Sequence, residues 1–332
     1  MDLALVSAGV IALGVLIYIV LDGFDLGIGI LFAVSPNAAA RGTMMNTVAP
    51  VWDGNETWLV LGGVMLFAAF PAAYAVALPA LYIPLIVMLL ALIFRGVSFE
   101  LRFKADHARP WDFAFGIGST VAAFCQGLML GGLVRGVEVN DRAFAGGAFD
   151  WLTPLGVLAG AGTVAGYALL GACWLVLKTE GDLQARARVW GRWLTGAVLV
   201  AMGAVSLVTP LIHPQVAARW FAGWNFVYLA PVPVAAIVAA WVLWRGLGRG
   251  WERVPFFLAV LLFLLGYAGI GISLWPYIVP YALTIWAAAA PPSSQAFTLI
   301  GVAISLPMVG IYTFYAYRVF RGKVGEEGYH AH

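Results

Sequence analysis

Nine apolar stretches, most of them about 20 to 30 residues long, divide this chain at its polar clusters. They run roughly over 3–34, 46–70, 74–103, 112–136, 151–178, 187–211, 224–245, 253–278 and 296–320. A run of that length crosses a hydrocarbon core of about 30 Å, and a helix satisfies its own backbone where no water can. The pattern therefore predicts an all-α integral membrane protein with nine transmembrane helices. The composition leaves little room for a soluble fold, because 63% of the 332 residues are hydrophobic and only 10% charged. The first run does not read as a cleaved signal, since Asp2 precedes it with no Lys or Arg. Nothing in the composition points to nucleic acid.

An odd number of crossings puts the two ends on opposite sides. Arg135, Arg142 and Arg219 fall on one side and Arg95 lies inside a stretch, while every other Lys and Arg of the 18 falls on the opposite side. The positive-inside bias then places the N-terminus outside and the C-terminus in the cytoplasm. Trp151, Trp220, Trp224, Trp275 and Trp286 sit near the outer ends, as an interfacial belt would. The chain reads as a single membrane domain over 1–332. Its first four helices cover about 3–136, the other five cover about 151–320, and 321–332 form a short cytoplasmic tail.

Five carboxylates lie within the first three stretches: Asp22, Asp25, Asp53, Glu56 and Glu100. A carboxylate in hydrocarbon is costly and rare, so each is a functional-site candidate. Orientation places all five, with Arg95, in the cytoplasmic half. Asp22 with Asp25, and Asp53 with Glu56, are spaced i, i+3 and share a helix face. A polar path open to the cytoplasm and stopping part-way through the membrane is the simplest picture. The competing reading is structural. Glu100 is equally able to pair with Arg102 or Lys104 at the headgroup level, and Asp25 also lies near that level. A charged pair that locks helices together looks the same in sequence as one that relays protons.

The remaining motifs are bland. Gly23, Gly27 and Gly29, Gly62 and Gly63, and Gly160, Gly162 and Gly166 form small-residue faces suited to close helix packing. Pro79 and Pro84 should bend the third helix. Cys125 and Cys173 lie singly on different helices and read as small core residues. The four histidines, His107, His213, His330 and His332, all lie in loops, at a helix end or in the tail. A haem or metal held within the membrane usually needs an intramembrane His, so no metal site is expected in this chain.

Two strings then point to a family. Leu21-Asp-Gly-Phe-Asp-Leu-Gly-Ile-Gly-Ile30 is followed by Asn46-Thr-Val-Ala-Pro-Val-Trp-Asp-Gly-Asn-Glu-Thr-Trp-Leu59. Together they resemble subunit II of cytochrome bd-type quinol oxidases. Phe94-Arg-Gly-Val-Ser-Phe-Glu-Leu-Arg102, Phe149-Asp-Trp-Leu-Thr-Pro-Leu-Gly156, Leu177-Lys-Thr-Glu-Gly181, Leu283-Thr-Ile-Trp286 and Ala290-Pro-Pro-Ser-Ser294 extend the likeness to the last helix. The short loops look closer to the cyanide-insensitive branch.

The resemblance implies two four-helix bundles plus one peripheral helix. It implies a homologous-fold subunit I holding two b-type haems, a haem d or third b-type haem, and the quinol site. This chain itself would hold no cofactor. Some members carry a structural quinone near the motif of Trp52, which makes Trp52 and Trp58 candidate quinone or lipid contacts. A small accessory membrane subunit is a further conceivable partner. The acids matching Asp22, Asp25 and Asp53 are associated with a cytoplasmic proton route, with Glu56, Arg95 and Glu100 beside them. Relatives commonly carry an acid after the Leu-Thr-Ile-Trp string, where this chain has Ala287. The expected function is to support subunit I in the bacterial cytoplasmic membrane and supply part of the proton path for reducing oxygen with quinol. A purely scaffolding subunit and, less well matched, a proton-coupled transporter are the alternatives.

Overall fold

The computed structural model describes residues 2–35 and 37–324. The expected histidines at 330 and 332 and most of the expected tail lie outside the described residues. The described chain is predominantly helical: α1 (Leu3–Val34), α2 (Ala38–Asn46), α3 (Trp52–Ala69), α4 (Pro71–Leu101) and α5 (Arg109–Arg135), then a two-residue-strand hairpin, β1 (Val139–Asn140) and β2 (Ala143–Phe144). There follow α6 (Pro154–Lys178), α7 (Gly181–Ile212), α8 (Pro214–Phe221), α9 (Asn225–Leu229), α10 (Pro231–Gly248) and α11 (Val254–Leu274). A second small hairpin, β3 (Tyr277–Val279) and β4 (Leu283–Thr284), leads into α12 (Ile285–Ala288) and α13 (Pro292–Val319).

Local chemistry sets many of these boundaries. The Asp2 carboxylate accepts from the Leu5 backbone N–H at 3.1 Å, satisfying one of the free donors at the start of α1. The Thr153 hydroxyl does the same for α6 by accepting from Gly156 N–H at 2.9 Å. Proline opens α4, α6, α10 and α13, where its missing N–H costs nothing. Pro79 and Pro84 sit inside α4 without ending it.

Among the described residues, eight helical stretches are long and apolar enough to cross a membrane: α1, α4, α5, α6, α7, α9 with α10, α11 and α13. The stretch expected over 46–70 is the exception. It divides into the end of α2, a turn, and the 18-residue α3, whose first five residues include the polar Asp53, Asn55 and Glu56. Those residues lower the apolarity of a helix that is already short.

Close packing holds α1 at the centre, where it touches α3, α5 and α6. The small-residue faces do what the sequence suggested. A methyl added at Gly27 would overlap the Tyr167 carbonyl of α6, and one at Gly171 would strike Gly27 in return, so the two backbones meet directly. Gly29 lies against Ser119 of α5, and Gly160 of α6 against Phe124. Gly63 meets nothing within 4 Å and faces open space. Cys125 and Cys173 are both buried and free.

Candidate functional site

The centre of the site is Arg95, placed by α4 with its side chain fully shielded from solvent. Its Nη2 lies 3.1 Å from Asp22 Oδ1 and 3.8 Å from Asp25 Oδ2, both carboxylates being equally shielded. Its Nη1 lies 3.3 Å from Glu56 Oε2 on α3, and the Glu56 side chain is 28% exposed. Three acids from α1 and α3 thus surround one arginine from α4, leaving the group with more carboxylates than cations. The guanidinium carbon also stands 5.3 Å from the Trp52 ring and 5.4 Å from Phe99, and those two rings stack 4.8 Å apart. The approach needs Gly96, against which Trp52 packs, and Gly118 of α5, where a methyl would press on Arg95 and the Ala91 carbonyl.

Neutral polar groups complete the cluster. Asn55 donates from Nδ2 to Asp25 Oδ2 at 2.7 Å, and the Tyr317 hydroxyl of α13 donates to Asn55 Oδ1 at 3.0 Å. On the other side Tyr18 lies one turn before Asp22. Gln126 donates to the Tyr18 hydroxyl at 2.7 Å, and Tyr167 donates to Gln126 at 2.7 Å. Several buried atoms have no well-aligned hydrogen bond: both oxygens of Asp22, Oδ1 of Asp25, and Nε and Nη2 of Arg95. Asp22 and Arg95 are therefore an ion pair by distance with poor hydrogen-bond alignment, and the pocket has unused donors and acceptors. Such atoms are the ones a water molecule would satisfy.

The structure brings Asp22, Asp25, Glu56 and Arg95 together and leaves Asp53 and Glu100 apart from them. Asp53 is exposed on the outward face of α3. Glu100 is 71% exposed and pairs with Lys104 at 2.9 Å, the surface pairing that sequence also allowed. Trp52 stands beside Arg95, and Trp58 is buried. Sequence reasoning missed Asn55, Tyr317, Tyr18 and Gln126. Asn55 alone left a signal, lying between Asp53 and Glu56 in the specific string.

Among the described residues, no group of three or more His, Cys, Asp or Glu is arranged to hold a metal ion. His107 lies in the loop between α4 and α5, and His213 follows the last turn of α7. Neither stands within a spanning helix, so no described histidine is placed to ligate a haem inside the membrane.

Fold and site together define a multi-pass helical membrane protein built round a buried arginine–carboxylate centre. The sequence profile of the family described as cytochrome bd terminal oxidase subunit II matches residues 3–320, and the chain belongs to that family. It is therefore a subunit of a respiratory quinol oxidase complex. It is 31% identical to cytochrome bd ubiquinol oxidase subunit 2 of Bacillus subtilis, over 98% of this chain and 97% of that protein. It is 29% identical to cytochrome bd-I ubiquinol oxidase subunit 2 of Escherichia coli K12, over 96% and 93%. A chain of the bd oxidase from Geobacillus thermodenitrificans superposes with a TM-score of 0.80 at 19% identity, covering 96% of this chain and 99% of the other, a likeness of fold.

Proposed function

We propose that this chain is the subunit that carries no haem in a quinol:oxygen oxidoreductase of the bacterial cytoplasmic membrane, and that it moves protons from the cytoplasm towards a haem-bearing subunit I. In this reading α3 also crosses the membrane, making nine crossings with the N-terminus outside. The packing supports one bundle of α1, α3, α4 and α5, a second of α6, α7, α10 and α11, and α13 outside both. The two b-type haems and the third haem belong to the partner, as do quinol oxidation and oxygen reduction. A structural quinone or a lipid would contact this chain at Trp52 and Trp58.

One observation carries the proposal. The Arg95 cluster is buried at one end and reaches the surface at the other through Glu56, beside Asp53. That edge of α3 continues into exposed Val60, Val64 and Phe67. An apolar face of this kind with carboxylates at one end suits a partner that receives protons there. Reducing oxygen to water consumes protons, and drawing them from the cytoplasm while quinol releases protons outside separates charge without a pump. The chain's own residues bind and pass the proton. Asp22, Asp25 and Glu56 accept it, Arg95 holds the excess negative charge, and Trp52 and Phe99 shield the guanidinium.

Asp25→Asn in the assembled complex tests this. The substitution removes one carboxylate from a group that has carboxylates in excess, so the complex should assemble with an unchanged haem spectrum. Quinol-driven oxygen consumption should fall at least several-fold. Full activity in that assembled variant would reduce the cluster to a scaffold.

A further inference from the structure

A cavity of about 330 Å³ lies where α6 and α13 end, beside the turn that links α2 to α3. Asn46, Thr47, Trp174, Lys178, Tyr317 and Phe320 are among its lining residues. Its wall is polar at two telling places. The Lys178 ammonium donates to the Phe320 carbonyl at 2.6 Å and the Gly322 carbonyl at 2.9 Å, holding the end of α13 across the cavity. The Asn46 side-chain oxygen is buried and has no hydrogen-bond partner.

Tyr317 connects this space to the cluster. It lines the cavity, and its hydroxyl reaches Asn55, which in turn grips Asp25 Oδ2. The grip leaves Asp25 Oδ1 buried and without a partner. That atom is the one free to form a new O–H bond when a proton arrives.

Resting on the reading that the cluster carries protons, we propose that protons are taken up through this cavity, and that Tyr317 and Asn55 guide them to Asp25 Oδ1. The proton travels on water and converts the Asp25 carboxylate to its acid. It then leaves past Asp22 and Arg95 to Glu56, the partly exposed acid of the cluster. Asn55 and Tyr317 are positioning residues: Asn55 fixes which Asp25 oxygen is available, and Tyr317 holds Asn55 while forming the cavity wall. This route differs from one that starts at Asp53, because it begins at α13 and passes through the Asp25–Arg95 cluster before it reaches the exposed face of α3. The alternative is that the Tyr317–Asn55 bond only fastens α13 to α3.

Val319 ends α13 and lines the same cavity, so Val319→Cys places a thiol there. The native thiols are 5% and 0% exposed and should not react. In inside-out vesicles holding the assembled complex, a membrane-impermeant sulfonated methanethiosulfonate is added, and oxygen consumption is compared before and after for the same variant. The expected result is a drop of at least several-fold, reversed by dithiothreitol, with the haem spectrum unchanged. Asn46→Cys serves equally if Val319→Cys does not assemble. Tyr317→Phe should in addition enlarge the solvent deuterium effect on turnover, which a mere fastening would not do. Complete labelling, confirmed by mass, with unchanged turnover overturns the route, as does failure of the reagent to label either thiol. If Asp25→Asn is slow while the labelled complex runs at full speed, only the route falls. If Asp25→Asn itself runs at full speed, the proton-carrying function falls with it.

Discussion

Arg95 Nη2 stands 3.1 Å from Asp22 Oδ1, and neither side chain is touched by solvent. An ion pair so placed is a poor source of net stability, because desolvation offsets its attraction, yet breaking it from one side is costly. Arg95→Met would leave Asp22 and Asp25 buried together with no cation. A loss of about 3–5 kcal/mol is expected for such an uncompensated charge. Membranes expressing the variant should therefore yield little haem-bearing complex, and a double variant that also replaces Asp22 with Asn should recover part of that yield.

Asp53 is exposed on α3 three residues before Glu56, beside the point where the proposed route leaves the cluster. Asn keeps its shape and most of its hydrogen bonding while removing the proton-carrying carboxyl. Asp53→Asn should assemble with a normal haem spectrum and consume oxygen at least several-fold more slowly. Wild-type turnover in the assembled variant would remove Asp53 from the pathway.

The contact between Gly27 and Gly171 should be the least tolerant in the protein. A methyl at Gly27 would meet the Tyr167 backbone carbonyl, which cannot swing aside as a side chain can. Overpacking typically costs about 1–3 kcal/mol, and overlap with a backbone atom leaves little room for relief. Gly27→Ala should lower the midpoint of thermal loss of the haem spectrum by several degrees or prevent assembly. Gly63→Ala, which meets nothing, should leave that midpoint unchanged.

Beyond the membrane helices, Lys323 bridges Glu252 at 3.0 Å and Glu180 at 3.2 Å, tying the chain after α13 to the turns at the ends of α6 and α10. The Lys323 hydrogen bond depresses Glu252, and the same bond raises Lys323. The Glu252 contribution is complete above the ordinary glutamate value of about 4.3 and is lost as pH falls through the depressed one. The Lys323 contribution is complete below about 10.4 and is lost as pH rises through the raised value. A spin label at Val324→Cys should accordingly be immobile near neutrality and gain mobility at both extremes. In a Lys323→Ala background it should be mobile throughout.

Much of the fold was legible because apolar length is a local property. The predicted first helix coincides with α1 at both ends, and the largest departure, α3, arises where polar residues occupy the first turn of a short helix. The grouping of Asp22, Asp25, Glu56 and Arg95 was legible too, and the four side chains meet in the structure. Direction around each helix axis was not. Asp53 and Glu100 were expected at the same depth but are exposed, because rotation is set by neighbours that the sequence leaves unassigned. The pairing of Asn55 with Tyr317 was invisible for a related reason: 262 residues separate them, and nothing in either local pattern announces the other.

The brevity of α3 has an electrical consequence. Eighteen residues rise about 27 Å, less than a hydrocarbon core of about 30 Å, and the first of its turns is polar. If α3 crosses the membrane, the conductive aqueous phase extends inward at this corner, and the low-dielectric layer is thinned there. The membrane voltage, about 2.3 kcal/mol per charge for each 100 mV, then falls mostly beyond the carboxylates. With the N-terminus outside, as proposed, a proton reaching Asp25 would traverse only a small part of that field, and occupancy of the site would follow cytoplasmic pH far more closely than membrane voltage.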